Sequence, residues 1–244
     1  MLAKEGVIMS WNERLWSGLD KIAIVALLAA SSLMIWKPLS FKSDASDAGI
    51  GLPMPDKIEG TVPATLMKTA STKGHESASV AVIEFADYQC PFCGRSAIDV
   101  APQLLHEFVD TGKVKYVFVN FPLEKIHPFA FKAAEAAECS RRQGQYWEMH
   151  DKLFANQRAL GETDLLRYAD ALGLRHNEFA SCLDGETQST IREQVALGHR
   201  LQLNSTPTFL IGDIERDGSI ALKRKINGAL PYQDFKKILN DVIG

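Results

Sequence analysis

The sequence predicts an α/β fold in which the two ends of one domain share a sheet and an all-helical insertion lies between them. Three observations predict it. Residues 79–121 show a strand, a helix and a second strand, residues 124–203 have a helical period almost throughout, and residues 207–243 show two strands and a helix. A strand, helix and strand in succession favour a right-handed parallel unit.

Length and composition fit a globular protein. The chain has 244 residues, of which 46% are hydrophobic and 23% charged, enough for one sizeable core or two small ones. The formal net charge is −3 and neither half is basic. Nucleic-acid binding is not expected, because contacts with phosphates need clustered Lys and Arg.

The first part of the chain predicts a membrane segment. An N-terminal segment, 1–21, precedes an uncharged apolar run that is bounded by Lys21 and Lys37. We predict a signal anchor or transmembrane helix over 22–37, because no convincing small-residue cleavage site follows the run. A cleaved signal peptide and a buried helix of a soluble protein are the alternatives. Export of the remainder is expected.

The stretch 38–76 predicts a linker, because it is rich in Ser, Asp, Gly, Pro and Lys and lacks a sustained period. Within it, ATLMKTA predicts a short helix or a strand at the edge of the domain. The folded domain is expected over 77–244.

The first half of the domain begins with a β-branched apolar run, Ser79–Phe85, which is typical of a central strand covered on both faces. A helix is predicted from the following cysteine pair to Asp110, with a kink at Pro102. Residues Val114–Phe121 predict the second buried strand.

The second half begins with the helical insertion at about 124–203, for which four or five helices are expected. Two strands follow, Pro207–Gly212 and Ser219–Ile226, joined through the turn residues Asp217 and Gly218. A terminal helix is predicted from Pro231 to Ile243.

Cys90-Pro91-Phe92-Cys93 stands where the first strand gives way to the helix. Unpaired backbone N–H groups and the helix dipole favour a thiolate at this end, so Cys90 is predicted to be the nucleophile. Pro91 suits the first helical position, and Cys93, one turn on, is placed to resolve a mixed disulfide. The same spacing also serves zinc, but zinc sites need a second paired cluster.

Glu84 lies six residues before Cys90, inside the buried strand. Burying a carboxylate is costly, and one task that explains it is proton exchange with Cys93. The alternative is a residue at the strand edge with its carboxylate in water.

Several segments of the chain together carry a resemblance to a known family, and they are DYQ-CPFC, the insertion with AAEC, QGQYWEMHDKLFANQ and SCLD, and the run STPTFLIG. With these segments the chain resembles the DsbA-like branch of the thioredoxin superfamily. The resemblance covers nearly all of 77–244 and implies a thioredoxin-like fold with an inserted helical domain. It implies that Thr206-Pro207 is a substrate-gripping cis-proline loop facing the cysteine pair, and that Glu84 is the family's buried acid. Strongly oxidising members carry His where this chain has Phe92. We therefore expect a Cys90 pKa below ~8.5 but above ~3.5.

The remaining cysteines, Cys139 and Cys182, lie in separate helices of the insertion. Since the active site claims the local pair, these two are left for each other, which predicts a structural disulfide. The alternative is two buried thiols in a reducing compartment.

These observations predict an exported thiol–disulfide oxidoreductase that acts on cysteine-containing proteins of the cell envelope, most simply as a dithiol oxidase. It would be anchored in the inner (cytoplasmic) membrane with its catalytic domain outside the cytoplasm, be reset by a membrane redox partner, and need no cofactor or metal. The alternatives are a reductase or isomerase on the same fold, and a non-catalytic membrane-anchored binding or chaperone module. The substitution Cys90→Ser separates catalysis from binding.

Overall fold

The structure, a computed structural model, describes residues 56–244. The predicted N-terminal segment 1–21, the predicted membrane segment 22–37 and the first part of the predicted linker lie outside the described residues. Among residues 56–244, no helix has the length and apolar character needed to span a bilayer.

The described strands, numbered in chain order, are β1 (Asp56–Lys57), β2 (Thr61–Val62), β3 (Ser71–Lys73), β4 (Val80–Ala86), β5 (Val114–Asn120), β6 (Thr208–Ile214) and β7 (Ile220–Asn227). The helices are α1 (Thr65–Thr69), α2 (Pro91–Asp99), α3 (Ala101–Leu104), α4 (Ala130–Arg141), α5 (Tyr146–Ala155), α6 (Glu162–Ala171), α7 (His176–Leu183), α8 (Gln188–Arg200) and α9 (Tyr232–Ile243). A π-helical turn, Leu105–Val109, follows α3.

The centre of the sheet is formed by β4 and β5, which are parallel and buried along their whole length. Their β-branched and aromatic residues suit strands that are covered on both faces. The strand order is β1-β7-β6-β4-β5-β3, with β2 also paired to β7. Because β6 lies antiparallel beside β4, the two halves of the domain share one sheet. The predicted α/β fold is therefore confirmed.

The linker prediction is wrong for residues 56–73. Strands β1 and β2 pair with β7, and β3 pairs with β5, so this stretch adds to both edges of the sheet. The segment ATLMKTA supplies α1, which leads directly into β3. The strands have two or three residues each, too few for a hydrophobic period to show in the sequence.

The helix predicted to run to Asp110 is interrupted rather than only kinked. Helix α2 ends at Asp99, and α3 begins at Ala101 with Pro102 in its first turn. Proline lacks the N–H that would continue the hydrogen-bond ladder and suits a helix start.

Within residues 124–203, the insertion has five helices, α4 to α8. A disulfide between Cys139 of α4 and Cys182 of α7 joins two of them, with a Cα–Cα distance of 5.7 Å. Aromatic rings connect the insertion to the sheet: the His150 ring of α5 lies 4.7 Å from Phe118 of β5, centroid to centroid. The insertion therefore packs directly against the strands that carry the site described next.

Candidate active site

Cys90 caps the N-terminus of α2. Its backbone is extended, and Pro91 takes the first helical position, where a missing N–H costs nothing. Cys90 is only 4% exposed. Hydrogen bonds outweigh the effect of burial and lower the pKa of Cys90 to about 5. They come from the Cys93 thiol, from Thr206 and from the backbone N–H groups of Cys93 and Phe92. This value lies within the interval expected from the sequence.

Cys93 lies one turn further along α2 and is fully buried. The backbone N–H of Asp87 donates to its sulfur at 3.5 Å. Burial, reinforced by the neighbouring Cys90 and the charge of Glu84, raises the pKa of Cys93 well above its usual range. In the reduced pair, Cys90 is therefore ionised at neutral pH and Cys93 keeps its proton.

Glu84 lies in β4 with only 3% of its surface exposed, so the alternative of a strand-edge carboxylate in water is wrong. Burial raises the pKa of Glu84 to about 7, although a hydrogen bond from Tyr116 favours the charged form and opposes this shift. A carboxyl group with this pKa is suited to accept or donate a proton at neutral pH.

A cis peptide bond joins Thr206 to Pro207 immediately before β6. The Cys90 sulfur lies 3.4 Å from the backbone oxygen of Thr206, so this loop faces the nucleophile. That carbonyl can accept a hydrogen bond from a thiol but cannot donate one to a thiolate. The Thr206 hydroxyl is the group of this residue that can donate to the Cys90 thiolate.

Phe92 is 51% exposed, so the side chain between the two cysteines faces solvent. The guanidinium carbon of Arg95 lies 5.1 Å from the centre of its ring. At this position Phe92 contributes apolar surface, whereas a histidine would contribute a titratable charge.

Asp87, which was not predicted as a site residue, has a buried carboxylate beside the cysteine pair. One oxygen accepts hydrogen bonds from the backbone N–H groups of Gln89, at 2.7 Å, and Cys90, at 3.2 Å. The other accepts from the N–H of Leu123 and contacts Nδ1 of His127, both at 2.8 Å. An acidic residue at the end of a buried strand is a signal that could have identified Asp87, but Leu123 and His127, which it also binds, are distant in the sequence.

Gln157, after α5, was also missed. Its side-chain amide donates to the backbone oxygens of Tyr88 and Cys90, at 2.8 Å each. The glutamine therefore ties the insertion to the turn that carries the nucleophile. Nothing in the sequence pattern distinguishes it from other surface glutamines.

Residues 67–241 match the family model described as Thioredoxin. The chain belongs to the thioredoxin family. This thioredoxin-family chain is similar to the solved structure of oxidised BdbD from Bacillus subtilis, with a TM-score of 0.63 and 25% identity over 77% of this chain and 98% of that one.

Two curated relatives extend the comparison of this thioredoxin-family chain. It is 33% identical over 90 residues to a probable disulfide bond formation protein D of Bacillus cereus, covering 37% of this chain and 42% of that protein. It is 39% identical over 147 residues, or 60% of this chain, to Na(+)/H(+) antiporter NhaA 3 of Salinispora tropica. The chain spans only 22% of that antiporter's length. The predicted resemblance to the DsbA-like branch of the thioredoxin superfamily is confirmed.

The thioredoxin-family fold brings most of the predicted site residues together. Cys90, Cys93 and the Thr206-Pro207 loop meet at the start of α2, and Glu84 lies below them in β4, close enough for its charge to raise the pKa of Cys93. The disulfide between Cys139 and Cys182 lies apart from this site, within the insertion.

Proposed function

We propose that this chain is an exported dithiol oxidase that passes a disulfide held between Cys90 and Cys93 to cysteine-containing proteins of the cell envelope. The observation that supports it best is the opposed ionisation of the two thiols: the pKa of Cys90 falls to about 5, and that of Cys93 is raised. A stable Cys90 thiolate is a good leaving group and stabilises the reduced enzyme. Both effects favour transfer of the disulfide to a client.

In the first step, a client thiolate attacks the sulfur of Cys90. A bond forms between the client and Cys90, the Cys90–Cys93 bond breaks, and Cys93 leaves as a thiolate. In the second step, another client thiolate attacks the client sulfur of this mixed disulfide, and Cys90 leaves as a thiolate. The client loses two electrons and gains a disulfide, while the enzyme pair gains those electrons.

Glu84 is the proton donor and acceptor for Cys93 in this scheme. Burial raises the pKa of Cys93. Its sulfur must therefore gain a proton when it leaves as a thiolate, and its thiol must lose that proton before it attacks. A carboxyl group with a pKa of about 7 can do both at neutral pH.

The loop of Thr206 and Pro207 is the proposed grip for the client backbone. It lies beside the Cys90 sulfur, so a client held there as an added strand presents its cysteine to the nucleophile. Pro207 immediately precedes β6, which pairs with β4 beneath the site.

We place the domain outside the cytoplasm, tethered to the inner membrane through 22–37 and reoxidised by a membrane redox partner. The disulfide between Cys139 and Cys182 supports an oxidising compartment, because such bonds are rare in reducing ones. A phosphatase that is active only outside the cytoplasm, fused after residue 244, tests the location. An active fusion is expected, and an inactive fusion that is made in normal amount contradicts the proposed location.

The reaction is tested by the equilibrium potential of the Cys90–Cys93 pair against glutathione, together with oxidation of a reduced, unfolded client. An oxidase is expected to lie at an oxidising potential near or above ~−180 mV and to form client disulfides. A potential near ~−270 mV indicates a reductase instead. Cys90→Ser should abolish the reaction, whereas a binding module would be indifferent to the substitution.

A further inference from the structure

Asp87 contacts both cysteines of the active site. It lies three residues before Cys90, a spacing that lets an aspartate side chain accept backbone N–H groups of the turn that follows it. One carboxylate oxygen accepts the N–H of Cys90 at 3.2 Å, and the backbone N–H of Asp87 donates to the sulfur of Cys93 at 3.5 Å. The Asp87 side chain is fully buried, so water screens its charge from the redox pair only weakly.

The charge of Asp87 opposes the ionisation of the nucleophile. Its carboxylate accepts four hydrogen bonds, the full capacity of an ionised carboxylate, from Gln89, Cys90, Leu123 and His127. A negative charge that is hydrogen-bonded to the backbone of Cys90 disfavours a second negative charge on the sulfur of the same residue. It therefore also disfavours the reduced enzyme, in which Cys90 is a thiolate, relative to the disulfide.

His127 is placed to offset this charge. Its Nδ1 lies 2.8 Å from the Asp87 oxygen that also accepts the N–H of Leu123. Because an ionised carboxylate accepts hydrogen bonds and cannot donate them, Nδ1 must carry the proton in this contact. The backbone N–H of His127 donates to the oxygen of Leu123 at 3.0 Å, which closes a ring of three residues and holds the imidazole in place. Within residues 56–244, no other basic side chain forms an ion pair with Asp87.

We propose that His127 is a positioning residue for the redox reaction, which draws negative charge away from the turn of Cys90 by donating to Asp87 and so stabilises the thiolate of the reduced enzyme. This inference rests on the proposed function. Reduction of the disulfide takes up two electrons and one proton, since Cys90 stays ionised and Cys93 is protonated. His127 acts on the product of that step, so it makes the pair more oxidising. Phe92 is apolar, so no charge between the cysteines does this instead.

The test measures two quantities on the full chain, the equilibrium constant of the Cys90–Cys93 pair with glutathione and the pH at which Cys90 ionises. His127→Ala should shift the equilibrium about tenfold toward the disulfide, which is ~30 mV toward reducing potentials for two electrons. Cys90 should then ionise at a higher pH than in the wild-type protein. His127→Asn should restore most of the loss, because its side-chain amide can donate from nearly the same place as Nδ1.

Asp87→Asn should act in the opposite direction. It removes the negative charge, so the equilibrium should move toward the reduced form and Cys90 should ionise at a lower pH. In the Asp87→Asn background, His127→Ala should no longer shift the equilibrium, because His127 acts through the charge of Asp87. A histidine that only packs its segment would cause the same shift in both backgrounds.

His176→Ala is the matched control. Nδ1 of His176 lies 2.7 Å from a carboxylate oxygen of Asp170, so this variant loses the same kind of contact. Both residues belong to the insertion, in α7 and α6, and are bonded to each other rather than to the active-site turn. The glutathione equilibrium and the ionisation of Cys90 should match those of the wild-type protein.

The inference fails if His127→Ala changes neither quantity, stabilises the thiolate, or has an equal effect in the Asp87→Asn background. If Asp87→Asn does not fold, an equal loss in His127→Ala and His127→Asn refutes the role of the hydrogen bond. If His127→Ala does not fold, Asp87→Asn decides, because it must make the pair more oxidising. These results leave the proposed function standing, which fails separately if the wild-type protein does not oxidise dithiothreitol.

Discussion

The phenolic hydroxyl of Tyr116 donates a hydrogen bond to the carboxylate of Glu84, inside the sheet and below the cysteine pair. The two residues lie on neighbouring strands, where Glu84 is opposite Phe118 and Tyr116 is its diagonal neighbour on the same face. Both are almost fully buried. The hydrogen bond stabilises the charged carboxylate and limits how far burial raises the pKa of Glu84.

Tyr116→Phe removes this hydroxyl and should raise the pKa of Glu84 above about 7. A rise of ~1 unit, which loss of one charge-assisted hydrogen bond can produce, leaves ~fivefold less ionised carboxylate at pH 7. The attack of Cys93 on a mixed disulfide at Cys90 should slow by the same factor and recover at higher pH. Release of thionitrobenzoate from Cys90, followed against pH, measures this step.

Tyr146→Phe is the control for that experiment. It removes another buried hydroxyl, which is bonded to Tyr88 at 3.4 Å and not to Glu84. An equal shift of the pH profile in both variants would mean that loosened packing, and not the hydrogen bond to Glu84, sets the rate.

Glu84 should also make the reduced protein less stable as the pH rises. Its pKa is about 7 in the folded state against an ordinary 4.5, so the folded state binds more protons between these values. The contribution of Glu84 to the free energy of unfolding should therefore fall through this interval, by on the order of 3 kcal/mol, at ~1.36 kcal/mol for each pKa unit. The lowered pKa of Cys90 acts in the opposite direction in both proteins, so the comparison with a Glu84 variant isolates the effect of Glu84. Urea unfolding of wild-type and Glu84→Gln protein at pH 4 and pH 8 measures this contribution. The variant should be more stable relative to the wild-type protein at pH 8 than at pH 4. A difference in stability between the two proteins that does not change with pH would refute the raised pKa of Glu84.

Gly94→Ala should disturb the nucleophile through Gln157. A Cβ at residue 94 would overlap the side-chain amide of Gln157, which then loses its hydrogen bonds to the backbone oxygens of Tyr88 and Cys90. A loss of ~1–3 kcal/mol in the free energy of unfolding is expected. Gln157→Ala should cost a similar amount, and the double variant should cost less than the sum. Strict additivity would show that the two residues act independently.

The disulfide between Cys139 and Cys182 should stabilise the insertion. It joins residues 43 apart, for which the chain-entropy model gives about 4 kcal/mol. Cys139→Ser/Cys182→Ser should lower the free energy of unfolding by that order while the potential of the Cys90–Cys93 pair stays unchanged. Alkylation of unfolded, unreduced protein provides the check, since labelling of Cys139 or Cys182 would mean that the bond does not form.

The sequence predicts the sheet and the cysteine pair well because both depend on local pattern. The buried strands β4 and β5 are apolar runs, and Cys90 lies at a strand-to-helix junction whose helix N-terminus is formed by the residues that directly follow it. The short strands β1 and β2 were missed because their pairing with β7 is a tertiary contact.

The same limit applies within the site. Asp87, His127 and Gln157 connect the active-site turn to residues that lie 36 to 69 positions away along the chain, and no local period encodes such contacts. The partner of Glu84 was missed for a related reason: Tyr116 becomes its diagonal neighbour only once the register of β4 and β5 is set.

The most direct test of the account is a pH titration of the Cys90 thiolate in the reduced protein, followed by its absorbance near 240 nm and by the rate of iodoacetamide alkylation. The account predicts a single low transition at about pH 5, absent in Cys90→Ser. A Cys90 that ionises only near ~8.5, as an unperturbed thiol does, would contradict it.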